Sequence, residues 1–246
     1  MLTAAVLLCA DPLASEPDGG LASTLEQHLE DRSFEVVAAS PVPAGARPGS
    51  HYGWRTSTRT GRRTFHAGVD FLVDRGTPAY AVREGVVELV TRNTRRSRYA
   101  GYGNAVVVRH PGAERWSFYA HLDSVDVEEG QRVAPGERLG TVGNTTNGRF
   151  PYMVPHLHFE VRRARRDGSS PFPGRYRRHN LDPEQWLASL GVDFDADGAR
   201  RMEIGAANDC EEIEPGPLLV MRARDDEDRA DVLAVGPRPP GAALLF

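Results

Sequence analysis

Two histidines separated by one residue stand in the run His156-Leu157-His158-Phe159-Glu160. The apolar and β-favouring residues around them suggest a strand. Alternate strand residues share a face, so both imidazoles project together while Leu157 and Phe159 turn to the core. An H-x-H pair alone is weak evidence, because most such pairs are surface or packing histidines. A second element, His66-Ala67-Gly68-Val69-Asp70, adds to it: Gly68 permits a sharp turn that swings His66 and Asp70 toward one point. Imidazole nitrogen and carboxylate oxygen are suitable zinc ligands, and zinc takes four in a tetrahedron. With one histidine of the later pair this makes three protein ligands and one open position, as a catalytic zinc site requires. A third element, Tyr119-Ala120-His121-Leu122, ends a strand-like run in a single histidine, which taken alone reads as one satisfied by a backbone carbonyl.

The elements that must position these residues are short and β-rich. Ala79 to Val82, Gly85 to Thr91, Asn104 to Arg109, Ser117 to Ala120 and His156 to Arg162 are closely spaced, separated by glycines and free of intervening helical patterns. That punctuation predicts an antiparallel sheet or sandwich. Val127, Gly130, Val133, Gly136 and Leu139 recur at a strict interval of three, a pattern like the hairpin of barrel-sandwich domains. Asp182 followed by Pro183 predicts a helix start and Gly191 its stop, with Trp186, Leu187 and Leu190 on the buried face. Ahead of this body, residues 1–40 read as a strand, helix, strand extension and residues 41–50 as a linker rich in Pro, Gly and Ala. Behind it, residues 191–246 form an acidic extension in which Pro217 to Met221 and Asp231 to Gly236 flank an acidic turn and read as a hairpin.

The ordered series Ser50-His51-Tyr52-Gly53-Trp54-Arg55, His66 to Asp70, Gly76-Thr77-Pro78, Gly85-Val86-Val87, Gly101-Tyr102-Gly103-Asn104, Tyr119 to Leu122, Val133 to Gly143, His156 to Val161 and Leu181-Asp182-Pro183 resembles the M23 family of zinc metallopeptidases, the lysostaphin-like or LytM-type domains. The resemblance implies a mainly β fold, an antiparallel sheet of barrel-sandwich character over residues 51–190, whose groove holds the metal. It makes His66, Asp70 and His158 the Zn2+ ligands, and His121 and His156 the unligated catalytic histidines. The implied activity is hydrolysis of peptide bonds in bacterial peptidoglycan, within stem peptides or in their cross-links. Non-catalytic relatives that bind or activate a wall hydrolase typically lack one or more of these five residues, and all five are present. One departure is the stretch Asn147 to Pro155, longer than the usual Gly-rich turn and carrying Phe150, Tyr152 and Met153 beside the expected groove.

Composition narrows the rest. All 30 basic residues are arginine, so Schiff-base, lipoyl and biotinyl chemistry on lysine are excluded. The net charge of −4 resolves into −5 over residues 1–50, +8 over 51–190 and −7 over 191–246, a cationic middle suited to an anionic wall polymer. The arginines at 162–166 and 175–178 lack a recognition helix or RNA-binding aromatics, so they read as a solvated arm and not as a nucleic-acid site. Asp193 to Gly198 imitates the first half of a calcium loop, but Glu203 falls one place short of the twelfth position. Cys9 and Cys210 make no disulfide framework, and His28, His51, His110 and His179 read as surface or capping residues. No apolar run approaches the roughly 20 residues that span a bilayer. The implied substrate places the protein in the cell envelope or outside the cell, although Met1 to Ala10, with no basic n-region, is not a convincing export signal.

Overall fold

The structure, a computed structural model, describes residues 34–57, 60–92, 101–148, 150, 152–172, 177–192, 194 and 216–223. The expected strand and helix before residue 34, the acidic segment at 195–200 and the Asp231 to Gly236 arm lie outside the described residues. The described chain is built of strands β1 (Phe34–Pro43), β2 (Pro48–Ser50), β3 (Gly53–Thr56), β4 (Arg63–His66), β5 (Val69–Phe71), β6 (Pro78–Tyr80) and β7 (Gly85–Thr91). There follow β8 (Asn104–His110), β9 (Arg115–Val125), β10 (Arg132–Val133), β11 (Arg138–Val142), β12 (Leu157–Arg163) and β13 (Asn180–Leu181), then helix α1 (Pro183–Ser189) and β14 (Pro217–Ala223).

The main sheet runs β10-β7-β8-β9-β12-β5-β2; among the described residues every pairing in it is antiparallel and it does not close into a barrel. Its centre is apolar on both faces because β8 and β9 carry apolar residues at successive positions, which alternation sends to opposite sides. Val106, Val108, Tyr119, Leu157, Phe159 and Val161 enter one core. Ala105, Val107, Trp116, Phe118 and Ala120 enter a second, smaller cluster on the other face. β12 is the exception in composition: its second face carries His158, Glu160 and Arg162, all buried.

Helix α1 starts as its sequence dictates. The Asp182 carboxylate accepts from the backbone N–H of Glu184 at 3.0 Å and Pro183 occupies the first turn. Such a cap contributes about 1 kcal/mol. Leu187 is fully buried while Trp186 and Leu190 pack against the larger core. The interval-three pattern also resolves physically: Val127, Val133 and Leu139 are buried, and Gly130 and Gly136 sit in the turns between them.

The flanks differ from the sequence expectation. The segment read as a linker carries strand to Pro43 and again from Pro48. β14 contains Pro217 to Met221, but its partner is β1, with Phe34 opposite Ala223 and Pro43 opposite Pro217. Ala38, Val42 and Val220 from this pair enter the same core as the central strands. Strand pairing over a separation of about 180 residues leaves no local turn signal, so a hairpin was the nearer reading.

His110, expected at the surface, is 1% exposed. Its Nδ1 donates to the Glu84 carbonyl at 2.8 Å and its Nε2 meets the Ser117 hydroxyl at 2.8 Å. Burial pushes this imidazole down to about 4, with Arg83 adding to the push. The folded value therefore lies below the unfolded one, near 6.5, and protonation favours the unfolded chain. This contribution is intact above about pH 6.5 and is lost as pH falls toward 4, about 2 kcal/mol of it between pH 7 and pH 5. Urea unfolding at both pH values should show His110→Gln losing correspondingly less than the wild type; equal losses would remove the assignment.

Candidate metal centre

The pairing of β5 with β12 sets Asp70 opposite His158, and β12 with β9 sets His158 opposite Ala120. Val69, Phe71, Leu157 and Phe159 are held in the core, so Asp70 and His158 project from the other face. His66 ends β4, and the turn that follows returns the chain into β5 against β12. Gly68 sits at the closest approach of that turn, where a side chain would collide with the Phe159 backbone and with Glu160. Glycine here serves close packing as well as the bend.

Three donor atoms converge. His66 Nε2 lies 3.0 Å from Asp70 Oδ1 and 3.2 Å from His158 Nδ1, and His158 Nδ1 lies 2.7 Å from Asp70 Oδ1. Ligands about 2.05 Å from a tetrahedral zinc stand about 3.3 Å apart, so this triangle needs to open by only tenths of an ångström to take the ion. His66 is oriented by a hydrogen bond from Nδ1 to the His51 carbonyl at 2.8 Å, which leaves Nε2 to the cluster. Burial works against ionising Asp70, but the hydrogen bonds from His158 and His66 outweigh it and hold the carboxyl well below its usual range. Burial likewise works against charge on His158, yet its contacts with Asp70 and Glu160 raise it to about 9. A set of atoms that favours a proton so strongly favours a divalent cation for the same reason. The donor set therefore fits zinc.

His121 reaches the site by an irregularity. Along β9, Ala120 belongs to the site face and Leu122 to the core, although they are two residues apart. The ladder shifts register between Leu122 and Ala120, and His121 between them has φ of 64°. This bulge turns a side chain that regular alternation would bury in the core toward the site. Histidine is among the few non-glycine residues that tolerate the left-handed region. Its Nδ1 donates to the Thr145 carbonyl at 2.9 Å, and that loop comes close because Gly103 leaves room for Thr145 where a side chain would strike its backbone. His156 precedes β12 and does not belong to the strand as expected; its Nδ1 donates to the Val154 carbonyl at 2.9 Å and its Nε2 lies 3.8 Å from Asp70 Oδ1. The two rings stand 4.6 Å apart. Burial pushes His121 down to about 3, with His158 and His156 adding to it, and lowers His156 as well, so both are neutral at pH 7.

All five residues singled out in the sequence thus meet in one cleft of about 370 Å³. It is walled by Arg55 and Phe65 of the β3–β4 hairpin and by Phe150 and Met153 of the loop before β12. Arg55 is half-exposed at the rim, its Nη1 3.9 Å from Asp70 Oδ2. The sequence reading missed Glu160, Arg162 and Asn180, which are buried, and the partly buried Tyr102; together they form a hydrogen-bonded group behind His158. The same period-two rule that pairs His156 with His158 places Glu160 and Arg162 on that face, so this much was available. Arg162, expected on a solvated arm, is 2% exposed and paired with Glu160.

Residues 64–171 match the profile described as Peptidase family M23. The DD-carboxypeptidase/endopeptidase Mpg of Neisseria meningitidis is 38% identical over 116 residues, 47% of this chain and 24% of that protein. The peptidoglycan DD-endopeptidase ShyA of Vibrio cholerae is 43% identical over 96 residues, 39% of this chain and 20% of that one. Among solved structures, lysostaphin from Staphylococcus simulans is 25% identical, covering 65% of this chain and 58% of its own, with a TM-score of 0.48. The chain spans no more than a quarter of the length of these two curated relatives. All five cleft residues lie within the segment, 64–171, that matches the profile of peptidase family M23.

Proposed function

We propose that the protein is a zinc metalloendopeptidase that hydrolyses peptide bonds in bacterial peptidoglycan at the cell envelope, with residues 51–190 as its catalytic body. The observation that carries this reading is the triangle of His66 Nε2, Asp70 Oδ1 and His158 Nδ1, spaced for a tetrahedral ion, beside two further neutral histidines. The family match and the names of the two curated relatives supply the substrate class. In this reading His66, Asp70 and His158 hold the ion. Zinc supplies a Lewis acid that polarises the scissile carbonyl and makes hydroxide available near neutral pH.

The chain's own residues do the rest. His121 and His156 each donate Nδ1–H to a loop carbonyl, which leaves Nε2 of each as the nitrogen that can take up a proton from the attacking water or return one to the leaving amine. Their neutrality at pH 7 suits that role, and general acid–base help of this kind contributes roughly 10² to 10⁴ in rate. The apolar walls at Phe65, Phe150 and Met153 receive substrate side chains and exclude water. The net positive charge of the middle region suits an anionic wall polymer as a neighbour of the substrate.

Ligation and proton handling are separate jobs, so the five residues divide into two classes. His66→Ala, Asp70→Ala and His158→Ala should lose zinc, whereas His121→Ala and His156→Ala should keep about one zinc per chain and lose most of the peptidase activity. Metal analysis by plasma emission, run beside release of new amino termini from purified peptidoglycan, tests this; equal zinc loss in both classes would sink the division of roles.

Selectivity should lie in the side chains of the loop and not in its backbone, because the Thr145 and Val154 carbonyls hold the histidines. Phe150→Ala and Met153→Ala should change the ratio of rates on glycine-rich and stem-peptide substrates by about tenfold. Zinc content should stay constant. A proportional fall on both substrates would show that these walls do not select.

A further inference from the structure

Glu160 is the only carboxylate on the row that β12 turns toward the site, and it is fully buried between β12 and its neighbours. Its two oxygens are used differently. Oε2 accepts from Arg162 Nε at 2.8 Å, Arg162 Nη2 at 2.6 Å and Asn180 Nδ2 at 2.9 Å. Oε1 accepts from His158 Nε2 at 3.1 Å and from the Tyr102 hydroxyl at 3.1 Å. Arg162 in turn lies over the Phe172 ring, 4.2 Å from its centre, so the guanidinium is fixed from behind. Asn180, at the start of β13, has two amide hydrogens and spends both: one on Glu160 and the other on the Ala67 carbonyl at 2.9 Å. Ala67 lies in the turn between His66 and Asp70.

We propose that Glu160 and Asn180 are positioning residues for the metal centre: Glu160 accepts a hydrogen bond from the Nε2–H of His158, which keeps the proton on Nε2 and leaves Nδ1 to ligate, while Asn180 ties that carboxylate to the turn carrying His66 and Asp70. The inference rests on the zinc reading above. A carboxylate present only to neutralise Arg162 would need one oxygen; here the second is reserved for the imidazole and for Tyr102. Hydrogen bonds from the far N–H of a ligating histidine to a carboxylate fix its tautomer and raise its basicity, and their loss costs 10- to 100-fold in metal affinity as a rule. Through Asn180 one hydrogen-bonded unit reaches both ligand-bearing segments, which are 88 residues apart in the chain at Asp70 and His158.

Glu160→Gln tests the claim at nearly constant shape. Three donors converge on the Oε2 position, so the amide oxygen must take that place and the amide NH2 must face His158. Nε2 then has to accept, and the imidazole proton moves to Nδ1, where it blocks the ligating nitrogen. Competition of the full chain with a chelating dye for zinc should give a dissociation constant about 10- to 100-fold weaker for Glu160→Gln. Asn180→Ala should weaken it by a smaller factor. A Glu160→Gln constant within twofold of the wild type would overturn the proposal, whereas a wild type that does not bind zinc would overturn the metal reading itself. Because the substitution leaves Arg162 without a charged partner and can prevent folding, the wild type supplies an independent test. Imidazole 15N spectra of the zinc-loaded protein should show His158 protonated at Nε2; a proton at Nδ1 would refute the assignment.

Discussion

The antiparallel pairing of β5 with β12 is where the geometry of the cleft originates. It places Asp70 beside His158, and because side chains alternate with period two, the same register that buries Val69, Phe71, Leu157 and Phe159 presents both side chains to the other face. A slip of one residue would put Leu157 or Phe159 at the site and drive His158 into an apolar core. The cost of burying a charged imidazole without partners far exceeds anything local packing could return, so the apolar pattern and the ligand pattern enforce each other. The convergence of these side chains is in this sense a by-product of core formation.

That arrangement puts unusual chemistry on a central strand. Glu160 and Arg162 are buried in the middle of the sheet, where replacing an ion pair by apolar residues often does no harm to stability. What offsets the desolvation is complete hydrogen bonding: five donors reach the Glu160 carboxylate and an aromatic face covers the guanidinium. The same economy explains His121. A bulge with a left-handed residue weakens the ladder locally, yet its backbone N–H still finds the Tyr102 carbonyl at 2.8 Å and its ring finds Thr145. Strain is confined to one residue whose position at the cleft requires it.

How much of this the sequence carried depends on the range of the interaction. Gly85 to Thr91 was bounded correctly as a strand, and α1 began where Asp182 and Pro183 placed it, because alternation, caps and turn glycines are local signals. The residues that meet in the cleft were legible through their types and through family resemblance, not through distance. Three things were not legible. The bulge at His121 depends on the register between β8 and β9, which no short window contains. The β1–β14 pair joins the first and last described strands, and the buried position of His110 depends on contacts with Glu84 and Ser117 from other segments. Glu160 was readable in principle, since period two places it with His158, but a glutamate on a strand usually faces water, and only its partners show otherwise.

The loop from Gly143 to Pro155 links chemistry to recognition. Its Thr145 and Val154 carbonyls hold Nδ1 of His121 and of His156, and its Phe150 and Met153 side chains wall the cleft those histidines face. The loop is itself braced: Asn144 Nδ2 donates to the Met153 carbonyl at 3.1 Å, and the Phe150 N–H donates to Thr146 Oγ1 at 3.0 Å. A substrate that fits against Phe150 and Met153 therefore bears on the same backbone that sets the direction of both Nε2 atoms. The triangle of His66, Asp70 and His158 has its own supports, the His51 carbonyl for His66 and Glu160 for His158, and neither belongs to this loop. On the proposed reading, substrate shape acts on proton transfer through one loop while ligation is fixed by the sheet, which is a physical basis for selecting substrates by rate and not by metal occupancy.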